Sequence, residues 1–282
     1  MTEFSITYEA DLPDGARALV PGGLTTPQAR CLGVDSAGPV LDQLTEAHTG
    51  QVAHVVGGAE GRLELRFTFD DTGGDAYPEA IFRPRDSRFT RFADALRAEA
   101  AEIAPHAPPA ERARAIACAT ADRFTYGHPE ARFNDGMDAV PALGCGLTEG
   151  SCVDINTYFI AALRAAGIEA GYVTGFHFPA EKGDRCEDGH CWVVTRTEAG
   201  VQEWDIAHHL KMGTRDIHPG LNPKPGFRAA GFHSMGLGFA RLDLPELKAL
   251  IEPLHLTEDG PCAFDDPRIR LHHPAVAEPA PA

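Results

Sequence analysis

Hydrophobic and polar positions alternate through the first third of the chain. Phe4, Ile6 and Tyr8 are spaced by two, and Leu63, Leu65, Phe67 and Phe69 alternate with Arg62, Glu64, Arg66 and Thr68. A period of two is that of strands with one face buried. Asp14-Gly15, Pro21-Gly22-Gly23 and Gly73-Gly74 separate these stretches as turns. The period then changes near Arg83-Pro84. Phe89, Phe92, Leu96 and Ile103 share one helical face, and Pro105 ends that helix. A second helix is predicted over 111–124, with Ala113, Ile116, Ala117 and Phe124 turned inward. The pattern divides the chain into a β-rich N-terminal domain at 1–86, an α+β domain at 87–271 and a disordered Pro/Ala-rich tail at 272–282. There is no internal repeat.

The α+β part holds the segment with the clearest chemistry, Gly150-Ser151-Cys152-Val153-Asp154. Ile155, Phe159, Leu163 and Ala166 follow at helical spacing, and Gly167 supplies a stop. Ser151 is placed to cap this helix, with Asp154 three residues on in the capping-box position. Cys152 therefore falls in the first helical turn. Unpaired N–H groups and the helix dipole favour an anion there, so a thiolate is favoured and an oxyanion can be held nearby. Taken alone, the segment more readily describes a small half-buried cysteine at a helix start.

Two strands follow. Gly189-His190-Cys191-Trp192-Val193-Val194 reads as one, and Val201-Gln202-Glu203-Trp204-Asp205 as its partner across a turn at Glu198-Ala199-Gly200. If Thr197 to Gly200 form the loop, Asp205 lies opposite Trp192 and diagonal to His190, on the same face. A slip of one residue would put the two on opposite faces. Singly, His190 and Asp205 read as ordinary strand residues. Together with Cys152 they make a nucleophile, a base and an orienting carboxylate.

These segments resemble the bacterial transglutaminase-like proteins of the papain-like superfamily. The likeness rests on Gly150-Ser151-Cys152-Val153-Asp154, on Phe159 to Ile168, on His190-Cys191-Trp192 and on Trp204-Asp205-Ile206, in that order. The intervals are 38 residues from Cys152 to His190 and 15 from there to Asp205. The likeness is strongest from about 113 to 211, and Arg123-Phe124-Thr125-Tyr126 resembles the aromatic end of the family's preceding helix. There are departures: Leu163 directly precedes Arg164, Glu169 stands where a proline is usual, and Val193-Val194 replace an aromatic strand. No oxyanion donor beyond the cysteine backbone maps onto a residue. The resemblance implies an α+β, papain-like core in which Cys152, His190 and Asp205 form a catalytic triad, with a β-rich N-terminal domain beside it. It implies acyl transfer or hydrolysis on a peptide or small amide through a thioester, with no cofactor; a cytoplasmic setting slightly favours hydrolysis over cross-linking. The other reading is a relict groove that binds peptide without chemistry.

Composition narrows the partners. The net charge is −16 and no basic stripe offsets it, so nucleic acid is not expected. No apolar run reaches the roughly 18 residues of a membrane span. Met1 to Ser5 show neither a basic stretch nor the start of an apolar run, so no secretory signal is expected. The seven cysteines lack framework spacing, so a reducing cytoplasmic setting is expected. Cys186, His190, Cys191 and His208-His209 could suggest a metal. Adjacent strand residues such as His190 and Cys191 face apart, however, so no metal site is expected, and Cys186 and Cys191 read as a loop thiol and a core residue. Gly231, Gly236 and Gly238 read as a backbone turn rather than a phosphate loop.

Overall fold

The computed structural model describes residues 2–144 and 146–274. Six strands open the chain: β1 (Glu3–Asp11), β2 (Arg17–Pro21), β3 (Arg30–Ser36), β4 (Val40–Thr45), β5 (Val52–Gly57) and β6 (Arg62–Asp70). Two helices, α1 (Asp94–Glu102) and α2 (Pro109–Ala121), lead to the short β7 (Phe124–Tyr126) and β8 (Thr148–Gly150). Helix α3 (Cys152–Ala165) precedes β9 (Glu169–Pro179), β10 (Arg185–Cys186), β11 (Gly189–Thr197) and β12 (Gly200–Trp204). The chain continues through α4 (Ile206–Lys211) and β13 (Gly226–His233) and closes with β14 (Leu254–Thr257), β15 (Gly260–Ala263) and β16 (Arg268–His272).

The centre is an antiparallel sheet in the order β12-β11-β9-β13. Helix α3 lies on one of its faces, with α1 and α2 packed against α3. Ala113, Ile116 and Ala117 of α2 and Ile155, Phe159 and Leu163 of α3 meet Tyr172, Cys191 and Val193 of the sheet in one apolar core. Both helices predicted from spacing are present, but α1 begins only at Asp94. Phe89 and Phe92 precede it, packed on the same core, and Phe124 opens β7 instead of ending α2. Helix α3 stops where Gly167, at φ +79°, turns the chain into β9.

The expected division at 86/87 does not describe how the strands assemble. Strand β16 pairs with β1, and β14 pairs with β2, so residues 254–272 complete the N-terminal sheets rather than the 87–271 unit. The two resulting sheets run β10-β16-β1-β6-β3 and β15-β14-β2-β5-β4. Their common core also takes in Phe176 and Phe178 of β9 and Ala229 of β13, with the Phe67 and Phe176 ring centroids 5.8 Å apart. The reason is the shared apolar face of β1 and β6: a row four residues long on each, Phe4 to Ala10 and Leu63 to Phe69, needs cover, and the central sheet helps to supply it. A tail starting at 272 is also displaced, since His272 ends β16, and residues 275–282 lie outside the described residues. The glycine run splits: Gly231 sits at the β13 bulge and Gly236, at φ +72°, in the following turn.

Candidate active site

Cys152 is the first residue of α3, as spacing predicted. Ser151 precedes the helix, its backbone N–H donating to Asp154 Oδ2 at 2.9 Å. Its hydroxyl donates to the same oxygen, also at 2.9 Å. Arg132, from the loop between β7 and β8, reaches both Ser151 Oγ and Asp154 Oδ2 at 2.6 Å. It is a support the sequence pattern did not point to, because Arg132 lies 19 positions before Ser151, across a loop and β8. Gly150 is explained by crowding. A Cβ there would come within 2.9 Å of the Phe124 ring and 3.0 Å of Asp154 Cβ, so only glycine lets β8 run into the helix at this angle.

The predicted hairpin register is present. Val193 pairs with Trp204 and Thr197 with Gly200, which puts Asp205 level with Trp192. Asp205, however, is not a strand residue. The strand ends at Trp204, and Asp205 caps α4, its Oδ1 accepting from His208 N at 2.9 Å. Trp204 fixes this corner by burial against Phe159, centroids 6.0 Å apart, and by donating to Thr195 Oγ1 at 2.9 Å. His190 Nε2 then meets Asp205 Oδ2 at 2.7 Å, with both groups buried. This leaves the His190 Nδ1 edge for Cys152.

The charges follow from this packing. Burial alone would depress His190, but Asp205 and the Cys152 thiol beside it push it up to about 9. Cys152 is held well below the ordinary thiol range by hydrogen bonds from the Cys191 thiol and the His190 imidazole, against the effect of burial. Burial pushes Cys31, Cys186 and Cys191 the other way. Cys191 belongs to the core facing α3, where Asn156 Nδ2 donates to its sulfur at 3.3 Å. Cys186 was expected in a loop. It lies instead in β10, the edge strand beside β16, with its side chain buried in that sheet's core.

Three more residues that the sequence left unassigned enter the cluster. His208 stacks on His190 with centroids 4.3 Å apart and planes 6° from parallel. His177 of β9 lies 4.4 Å from His208, centroid to centroid. Arg228 of β13 places Nη2 2.5 Å from Asp205 Oδ2 and 3.1 Å from His208 Nδ1. Only the fold brings β9 and β13 to this corner, which is why spacing could not find His177 and Arg228, whereas the sequence marks His208 only as a candidate metal ligand. His190, Asp205 and His208 together have ligand atoms close enough to surround a metal ion. The Arg228 guanidinium already stands among those atoms as their cation, so the donor set does not suit a second one. His209 is engaged elsewhere, its Nδ1 on the Asp205 carbonyl at 2.8 Å.

A small cleft of about 90 Å³ opens beside His190 and His208. Lys182, Lys211 and Lys224, three of the chain's four lysines, stand around it with Glu187 and Asp188. Lys182 pairs with Glu187 at 2.7 Å, and Lys224 with Glu181 at 2.6 Å, so the rim is close to neutral.

Residues 97–204 match the family model of the transglutaminase-like superfamily, a stretch that opens in α1 and closes one residue before Asp205. Among solved structures, a candidate cysteine protease from Cytophaga hutchinsonii is similar over 96% of this chain and 97% of its own, at 13% identity and a TM-score of 0.48. The periplasmic domain of TgpA from Pseudomonas aeruginosa is similar over 76% of this chain and 90% of its own, at 18% identity and a TM-score of 0.38. A candidate protease from Parabacteroides distasonis shares 15% identity over 71% of this chain and 42% of its own, with a TM-score of 0.32. No curated protein matches.

Proposed function

We propose that the chain is a cysteine-dependent hydrolase or acyltransferase acting on a peptide or small amide, a reading supported by the match of residues 97–204 to the transglutaminase-like superfamily model. The observation that carries this reading is the buried His190–Asp205 pair at 2.7 Å, set beside the helix start that bears Cys152. The Cys152 thiolate attacks the carbonyl carbon, and the first-turn N–H groups of α3 face the oxygen that becomes negative. Protonated His190 passes its proton to the leaving amine as the C–N bond breaks, which leaves a thioester on Cys152. Water, or a second amine, then gives a proton to His190 and attacks the thioester, and the thiolate returns. Asp205 holds the imidazole with Nε2–H toward its carboxylate, so that Nδ1 is the edge that exchanges protons. Hydrolysis is favoured over cross-linking because the cleft beside His190 is polar and open to water.

Incubation with a library of peptide amides and activated acyl esters, followed by intact-mass analysis, tests the proposal. An acyl adduct confined to the Cys152 peptide and lost in Cys152→Ala is the expected result. Adducts elsewhere, or none while peptides still bind, would favour a relict binding groove instead.

A further inference from the structure

We propose that Arg228 is a positioning residue of this site: a fixed cation on β13 that supplies the counter-charge of Asp205, so that the one mobile proton in the buried cluster belongs to His190. The inference rests on the Cys152–His190–Asp205 reading and goes beyond it.

Asp205 Oδ2 lies within reach of three nitrogens: His190 Nε2 at 2.7 Å, Arg228 Nη2 at 2.5 Å and His208 Nδ1 at 2.9 Å. One carboxylate buried this completely cannot balance three cations. Arginine keeps its charge at any ordinary pH, so its share is settled. The geometry then decides the state of His208. Arg228 Nη2 has only hydrogens to offer, and it approaches His208 Nδ1 at 3.1 Å. Of the two neighbours of that nitrogen, Asp205 Oδ2 lies at 2.9 Å but only the Arg228 N–H meets it in hydrogen-bonding geometry, so the lone pair is assigned to Nδ1. His208 is neutral, with its proton on Nε2. Charge then balances in two couples, Arg228 with Asp205 and His190 with Cys152.

The fold holds Arg228 in this role. Its side chain is 1% exposed, its Nε donates to Asn222 Oδ1 at 3.1 Å, and its guanidinium lies over the Trp192 ring at 4.9 Å from the centroid. Trp192 is two residues from His190 on the same strand face, so the cation and the imidazole are carried by one rigid surface. The titratable groups facing His190 are Cys152 from α3, His177 from β9, Asp205 and His208 at the start of α4, and Arg228 from β13. Asp188 precedes it, and Lys211 stands at the cleft. The low affinity of His208 for protons agrees with this assignment: burial first, then the charges of His190 and Arg228, hold it down at about 4 despite Asp205.

Iodoacetamide alkylation of Cys152 across pH 4–10, with histidine ¹⁵N spectra on the same proteins, tests the inference. In the wild type, Cys152 should react already at mildly acidic pH, with a second limb where His190 loses its proton. Arg228→Gln should move that limb up by about one pH unit, the scale of removing one nearby charge, and His208 should begin to titrate in the neutral range. Arg228→Lys should restore both toward the wild type. A folded Arg228→Gln variant with an unmoved limb and a non-titrating His208 would overturn the inference while leaving the triad reading intact. A wild type in which Cys152 reacts as an ordinary thiol would instead sink the triad reading. Should Arg228→Gln fail to fold, the wild-type spectrum still decides: a His208 protonated at pH 7 excludes the role assigned to Arg228.

Discussion

Asp205 is the residue on which most of the site depends, since it orients His190, meets Arg228 and caps α4. Asparagine retains one acceptor oxygen, enough for either the contact to His190 Nε2 or the cap on His208 N, whereas alanine removes both. Asp205→Asn should therefore slow Cys152 alkylation less than Asp205→Ala does. Asp205→Ala should in addition lower the melting temperature, because it strands a buried guanidinium. An alkylation rate unchanged in folded Asp205→Ala would reduce the mechanism to a Cys152–His190 dyad. Glu252 offers a separate test through pH. Burial, then the negative charge of Asp188, pushes its carboxyl up to about 7 despite a hydrogen bond from the Gly189 backbone, and its Oε2 is buried without a hydrogen-bond partner. The folded protein thus binds this proton more tightly than the unfolded chain. Its contribution is full below the ordinary carboxyl range and is lost as pH rises through 7. Glu252→Gln should raise the melting temperature at pH 8 by a few degrees, an advantage that shrinks as the pH falls toward about 4.5. Equal gains at both pH values would mean the carboxyl is not being forced to ionise.

Elements place these residues more than propensity does. Helix α3 begins at Cys152 because Ser151, Asp154 and Arg132 fill the positions that a helix start leaves open. Ser151→Ala should cost about 1 kcal/mol, the usual worth of such a cap. In a chain of this size that corresponds to roughly 2–4 °C in melting temperature. The fold should survive, since the apolar face of α3 stays buried. A loss well beyond that would show the hydroxyl supporting more than the helix start. The β11–β12 hairpin was readable to its register from a single turn, Glu198-Ala199. What that reading missed was the end of β12: the buried Trp204 anchors the strand, and the chain then turns into α4. The same carboxylate that serves His190 makes that turn possible as its cap.

At the scale of the whole molecule, the last strands belong with the first. Strand β16 pairs with β1 on one side and with β10 on the other, and β10 leads within three residues to Gly189 and the strand of His190. Arg270 Nη1 also meets Asp184 Oδ2 at 3.0 Å, and Leu271 N donates to Asp184 O at 2.7 Å. Truncation after residue 253 would strip β14, β15 and β16, expose the edges of β1 and β2 and remove Ile269 and Leu271 from the core. Such a chain is expected to lose its cooperative thermal transition and to aggregate, as read by circular dichroism and size-exclusion chromatography. A truncated protein that melts like the full chain would make the 254–272 strands a dispensable covering.

The sequence by itself determined the local parts of this protein: the alternating strands β1 and β6, the helix that starts at Cys152, and the hairpin that brings Asp205 level with Trp192. Each is legible because its cause is short-range, a period of two or of 3.6, a cap, a turn. Family resemblance then tied Cys152 to the hairpin across 38 residues that no local rule spans. Only the tertiary structure decided which distant groups share the site. Arg228, His177 and Arg132 carry no local mark, because a lone arginine or histidine in a strand or loop reads the same whether it faces water or a buried carboxylate. The return of 254–272 to the N-terminal sheets is of the same kind: strand pairing over some 260 residues is chosen by which apolar faces remain uncovered once the rest has folded.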